Sequence, residues 1–122
     1  MAITVQNPEH GAMAGNGFII NATSADASVC EELKAAPATG LSIFVDKLTI
    51  NSTLAISVTI GEGETTGDVT TVLLGPVAMA AASSTQFDFS QVGGLKLTAA
   101  TSLTVDASGA GDICITVIGR IE

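Results

Sequence analysis

From residue 17 onward, apolar side chains return at every second position, the spacing of strands, and not at the three-to-four spacing of a helix. Phe18 and Ile20 share one side of a first strand, which breaks at Thr23-Ser24-Ala25-Asp26. Beyond Ala27, Val29, Glu31 and Leu33 alternate with Ser28, Cys30 and Glu32 up to a second break at residues 37–40. In LSIFVDKLTI the apolar set is Leu41, Ile43 and Val45 on odd numbers, then Leu48 and Ile50 on even ones, so parity slips at Asp46-Lys47. A slip of one residue turns every later side chain to the wrong face unless an extra residue is absorbed, which predicts a β-bulge there. Asn51-Ser52-Thr53 then reads as the turn of a β-hairpin into Leu54, Ile56, Val58 and Ile60.

The glycines and carboxylates of GEGETTGD, residues 61–68, bury nothing in this reading and predict an exposed loop. A strand over residues 69–74 stops at Gly75-Pro76, and the Ala-rich residues 77–82 are the place where a helical turn fits. Phe87 and Phe89 mark a further strand closed by Gly93-Gly94. Leu95 and Leu97, then Leu103 and Val105, flank a turn at residues 98–101, and residues 107–111 turn the chain into Ile113, Ile115 and Val117. Turn signals therefore recur about every eight to twelve residues, the rhythm of a sandwich or barrel and not of alternating βαβ units. The fold class predicted is all-β: a single β-sandwich of about eight to nine antiparallel strands over residues 17–122. Residues 1–16, with Ile3 and Val5 before a run of Pro and Gly, read as an extended N-terminal arm.

Composition sharpens this picture. Of 122 residues 47% are apolar but only 13% are charged, against about 25% in an average soluble domain. So sparing a surface predicts that part of it is covered by partner subunits. Four Lys or Arg stand against twelve carboxylates, a net charge of −8, which excludes a nucleic-acid partner because the chain repels a phosphate backbone. Residues 69–87 carry no charge, yet Gly75-Pro76, several Thr and Ser, and the absence of flanking cations argue against a membrane span. No charged n-region or apolar h-region opens the chain, so synthesis in the cytoplasm is expected.

Chemistry-bearing residues are scarce. The single histidine, His10, lies in the arm, and an arm residue rarely has the packing that holds a catalytic base in reach of its nucleophile. Cys30 and Cys114 match no metal or redox spacing; they read as small core residues, with a disulfide between them as the alternative. Glu31 and Glu32 point to opposite faces of a strand, and with no Trp or Tyr to seat a sugar ring, glycoside hydrolysis is excluded. Glu62, Glu64 and Asp68 are the right ligand types for calcium but follow no fixed calcium spacing, which leaves a solvated acidic hairpin beside a metal site. No catalytic residue, cofactor site or metal site is assigned, and an enzyme is not expected.

The stretch from Leu41 to Ile50, the Gly-rich loop to Leu74-Gly-Pro, Phe87-Asp-Phe, Gly94-Leu-Lys-Leu-Thr, Ser102-Leu-Thr-Val-Asp and Ile113-Cys-Ile-Thr-Val-Ile-Gly-Arg resemble small β-sandwich proteins of tailed-phage virions, the head decoration (cement) and head-spike proteins. The likeness covers residues 40–120 and lies in rhythm and turn phrases. It implies a jelly-roll-like domain that forms a homotrimer and clamps neighbouring major capsid protein subunits on the outer capsid surface of the virion. Ile3 and Val5 are then expected to bind a partner by adding a strand to a neighbouring sheet edge. The rival readings are a phage tail or fibre component and a surface carbohydrate-binding module.

Overall fold

The computed structural model describes residues 4–6, 16–24, 27–64, 69 and 71–122. They form β1 (Thr4–Gln6), β2 (Gly17–Ser24), β3 (Glu31–Lys34), β4 (Ile43–Ser52), β5 (Ser57–Glu62), β6 (Val72–Ala78), β7 (Ser83–Asp88), a 3-10 turn at Ser90–Val92, β8 (Leu95–Lys96), β9 (Leu103–Ala107) and β10 (Ile113–Ile121). No α-helix occurs among the described residues. The first sheet runs β1-β2-β10-β4-β7, with β8 also on β4, and the second runs β3-β9-β5-β6.

This order is a rolled ribbon. β2, β3, β4 and β5 run antiparallel to β10, β9, β7 and β6 respectively, so the chain forms one long double strand whose tip is the β5–β6 connection. Rolling it brings β10 beside β4 and β9 beside β5, and those pairings close the two sheets. The eight strands of the ribbon make a jelly roll, the sandwich that the alternation predicts in the form that the resemblance implies; β1 and β8 are short additions.

The core is aliphatic. Ile43, Leu48, Ile50, Ile60, Leu103, Val105, Ile115 and Val117 are buried with 1% exposure or less, and Phe18, at 7%, is the most buried ring. Each such side chain contributes about 1.5–3 kcal/mol when removed from water. The parity slip is absorbed where it was predicted. Ile118 pairs with Lys47 and Gly119 with Val45, so Asp46 is the extra residue, and β4 buries Ile43 and Val45 before it, Leu48 and Ile50 after it.

Five local expectations need correction. β4 and β5 are not a hairpin: they lie in different sheets, and residues 53–56 carry the chain across the sandwich. Alternation shows which side of a strand meets the core but not which strand lies beside it, and two facing strands leave the same pattern as two adjacent ones. Gly61 and Glu62 are not an exposed loop but the buried end of β5. Gly61 is needed there because a Cβ would stand 2.2 Å from Val69 Cγ1. The strand expected to stop at Gly75-Pro76 runs through both as β6, and residues 77–82 form its end and a turn, with Ala82 at φ 52°, and no helical turn. Before β3, Ala27 and Cys30 are buried while Val29 is half-exposed, so the alternation breaks ahead of the strand.

Gly119 sits at the bulge with no space for a side chain. A Cβ there would be 2.3 Å from the Phe44 carbonyl oxygen and 2.9 Å from the Phe18 ring. Gly109 is the natural control, since its nearest neighbour would be Ile56 Cγ2 at 3.9 Å. Gly119→Ala is expected to destabilise the fold by about 1–3 kcal/mol, the cost of overpacking. Gly109→Ala is expected to stay within about 0.5 kcal/mol in the same urea titration.

Candidate functional surface

The outer face of the first sheet is built from the outward half of each alternation. Ile19, Asn21 and Thr23 of β2 stand beside Ile118, Thr116 and Cys114 of β10, which stand beside Lys47, Thr49 and Asn51 of β4, with Asp88, Gln86 and Ser84 of β7 outermost. Rows of amides and hydroxyls therefore cross four strands, and charge enters only at one end, where Lys47 lies opposite Asp88. A shallow cleft of about 370 Å³ opens among Thr49, Gln86, Thr116 and Ile118. Phe87 is its one ring, and that side chain packs against the core and presents no flat platform.

At the charged end, Arg120 holds the bulge together. Its guanidinium pairs with Asp46 and with Glu122, donates to the Gly93 carbonyl at 2.7 Å, and lies 4.6 Å over the Phe44 ring. Hydrogen bonding to Glu122, then to Asp46, raises its pKa above the ordinary arginine value. Asp88 is held below its usual range by the Ser90 hydroxyl and backbone N–H, at 2.6 and 2.9 Å.

The second sheet differs. Its strands carry Glu31, Glu32, Glu62 and Asp106 against Lys34 alone, whereas in the first sheet Asp46 and Asp88 are offset by Lys47, Lys96 and Arg120. Residues after β5 bond to this sheet: the Glu64 carbonyl accepts the Cys30 thiol at 2.7 Å, and Val69 N–H donates to Asp106 Oδ2 at 3.1 Å. The other Asp106 oxygen is buried with no hydrogen-bond partner. A second hollow of about 350 Å³ lies alongside, lined by hydroxyls of Ser57, Thr59 and Ser108 beside Asp106.

The residues singled out from sequence do not come together. Ile3, His10 and Asp68 lie outside the described residues. Val5 lies in β1, paired in register with Ala22 of β2, so this part of the arm extends the chain's own sheet. Glu62 is 6% exposed and accepts the Thr98 N–H and hydroxyl, each at 2.7 Å, while Glu64 accepts the Thr71 N–H at 3.0 Å. Both carboxylates hold loops; among the described residues no three His, Cys, Asp or Glu side chains are placed to share a metal ion. The cysteines are free. Cys30 is buried as expected, but Cys114 is outward on the first sheet, donating to Asn21 Oδ1 at 3.2 Å, because Ile113 and Ile115 take the core side. The outward uncharged rows and the pairing of Arg120 at the bulge were missed at the sequence level, although the outward residues are simply the positions between the apolar ones.

No protein-family model matches the chain, and no curated protein matches it. One similar solved structure is TmCBM61 in complex with β-1,4-galactotriose, 13% identical at a TM-score of 0.32, covering 99% of this chain and 81% of that one. Another is a structure of Bacillus endospore appendages, described as a novel family of disulfide-linked pili. It is 14% identical at a TM-score of 0.28 and covers 89% and 94% of the two chains. Neither superposition is close enough to carry a site across.

Glu62→Ala leaves the Thr98 N–H without its acceptor and is expected to cost about 1–3 kcal/mol. The loss should be equal in calcium and in chelator, which a pair of thermal melts checks. Burial, the largest cause, raises the Cys30 pKa above the usual 9.0, and the Asp106, Glu64 and Glu31 carboxylates add to it while Thr104 opposes. A raised thiol pKa gives stability that is complete below the unfolded value and is lost as pH climbs through the folded one. Stability should therefore fall above pH 9, and Cys30→Ala should flatten that alkaline limb.

Proposed function

We propose that the chain is a structural subunit of a larger protein assembly, a decoration protein on the outer surface of a tailed-phage capsid, where it works together with copies of itself. The observation that carries this reading is the segregation of charge between the two sheets. A partner that covers the first sheet meets amides, hydroxyls and Ile19 and Ile118, with almost no ionised group to strip of water. The second sheet and the connections hold most of the carboxylates, and Glu32 and Asp112 among them are exposed to water. An acidic outward side keeps such assemblies apart by like-charge repulsion.

A subunit of this kind stabilises a shell by binding its assembled state in preference to its free parts, which shifts the equilibrium by mass action. Repetition on a lattice adds avidity, because each contact forms among neighbours already held in place. A lasting contact needs about 1,000 Å² or more of total buried surface, and a four-stranded face is of that order. A carbohydrate-binding role is less well supported. The cleft has hydrogen-bonding groups, but its one ring is turned to the core, and sugar sites rely on an exposed aromatic face.

The test is co-sedimentation of the full chain with shells assembled from the major capsid protein of the same viral genome. Wild-type protein is expected to pellet with the shells and to raise their melting temperature. Thr49→Lys with Thr116→Lys, which charges the centre of the uncharged face, is expected to abolish pelleting while leaving the circular dichroism spectrum unchanged. Binding that survives this pair of substitutions, or glycan capture without shell binding, overturns the reading.

A further inference from the structure

A β-sandwich has four sheet edges, each a row of backbone N–H and C=O groups able to take another strand, and soluble proteins block them with charge, proline, bulges or very short strands. Three of the four are blocked here. At one end the first sheet finishes in β1, three residues long. On the same flank the second sheet finishes in β3, which carries Glu31, Glu32 and Lys34 in four residues. On the opposite flank the second sheet finishes in β6, where Val77 pairs with Val58 and Leu74 with Ile60, so Gly75 and Pro76 together face Thr59 as a bulge. Pro76 has no N–H to offer.

The fourth edge is β7. From Ser83 to Phe87 it has no charge and no proline, Ser84 and Gln86 are exposed, and β4 is its one neighbour. β6 lies next to it, because the chain steps from one to the other through residues 79–82. Residues 69–87 hold no ionisable side chain, and among the described ones only Met79 is buried. Val72 is 48% exposed, and Leu73, Leu74 and Val77 are half-buried. The flank is thus an open strand bordered by an apolar strip, and among the described residues no other strand pairs with it.

We infer that β7 pairs with β7 of a second copy, antiparallel about a two-fold axis, so that two first sheets become one continuous sheet. Charge permits the occupant, and the open ladder selects it. Two chains of net charge −8 repel over most of their surfaces, whereas on this flank copies touch without placing carboxylate against carboxylate and with backbone groups free to pair. A strand meeting its own copy about a two-fold is antiparallel, and each residue and its partner make the same contact twice. The proposal builds on the assembly reading above, but it fails or stands separately.

The experiment measures the mass of the full chain by light scattering across a concentration series, in low and in high salt. A dimer is expected, tightening as salt screens the repulsion. Ser84→Lys with Gln86→Lys makes each chain less acidic yet sets like charges across the axis, and should weaken the dimer about tenfold or more. The corresponding double Glu variant should weaken it too, and an equimolar mixture of the Lys and Glu chains should associate again, which a misfolded variant cannot do. Thr49→Lys with Thr116→Lys, one and two strands in from the edge, should leave the dimer intact while removing shell binding.

A wild-type monomer, a trimer such as the phage resemblance implies, or Lys and Glu chains that fail to recombine overturns the β7 contact. If such a protein still pellets with shells, the decoration reading stands without it. A dimer that dissociates as described but ignores shells keeps the β7 contact and removes the decoration role.

Discussion

Everything in this molecule depends on two pleated sheets burying one face each against the other with side chains no bulkier than Leu or Ile over most of the contact. Aliphatic side chains fill space without the reach of a ring, so the inward residues of both sheets must stay in phase along their whole length. The bulge at Asp46 is a consequence. Without it, either Ile43 and Val45 or Leu48 and Ile50 would leave the core, at about 1.5–3 kcal/mol for each side chain returned to water. The bulge in turn explains Gly119, which alone permits the approach of Phe44, and Arg120, whose guanidinium closes over the widened gap through Asp46, Glu122, Gly93 and the Phe44 ring.

The charges follow from the same geometry. Where the first sheet's outer face is regular, its residues are Asn, Thr, Gln, Ser and Cys114, with Ile19 and Ile118 next to the irregular end, and ionised groups gather at that end, around Asp46, Lys47, Asp88 and Arg120. There they offset one another and fix the backbone. Glu64 and Val69 bond to the second sheet and to its neighbour Thr71, through Cys30, Asp106 and the Thr71 N–H, so the carboxylates there are part of an internal scaffold as well as an acidic surface. A low total of charged residues therefore describes two unlike faces.

How much of this was legible along the chain depends on whether a feature is local. The strands, the aliphatic core and the bulge were legible, because period-two alternation and a change of parity are local records of which side faces inward. The β4–β5 hairpin was misread, because facing and adjacent strands leave one pattern, and only the pairing of β4 with β10 and β7 tells them apart. Glu62 was misread because a carboxylate among glycines looks solvated until Thr98, distant in sequence, supplies its donors. The outward rows of the candidate surface were present as the gaps between apolar residues, but their shared freedom from charge emerges once four strands lie side by side in register.

The rolled ribbon also explains why the uncharged residues 69–87 end up together. They span the second arm of the ribbon just beyond its tip, so rolling places one part at the edge of each sheet, on one flank. The two edges are then treated differently: β6 has a proline and a two-residue bulge, while β7 has neither and keeps a regular ladder to β4 over all six residues. A proline in β7 would cost a single N–H that β4 does not use at every position, and a lysine at Ser84 or Gln86 would cost nothing in the core, since both side chains already point outward. A sequence that protects three edges by three different means and leaves the fourth flat, polar and neutral has kept that edge fit for a strand to join.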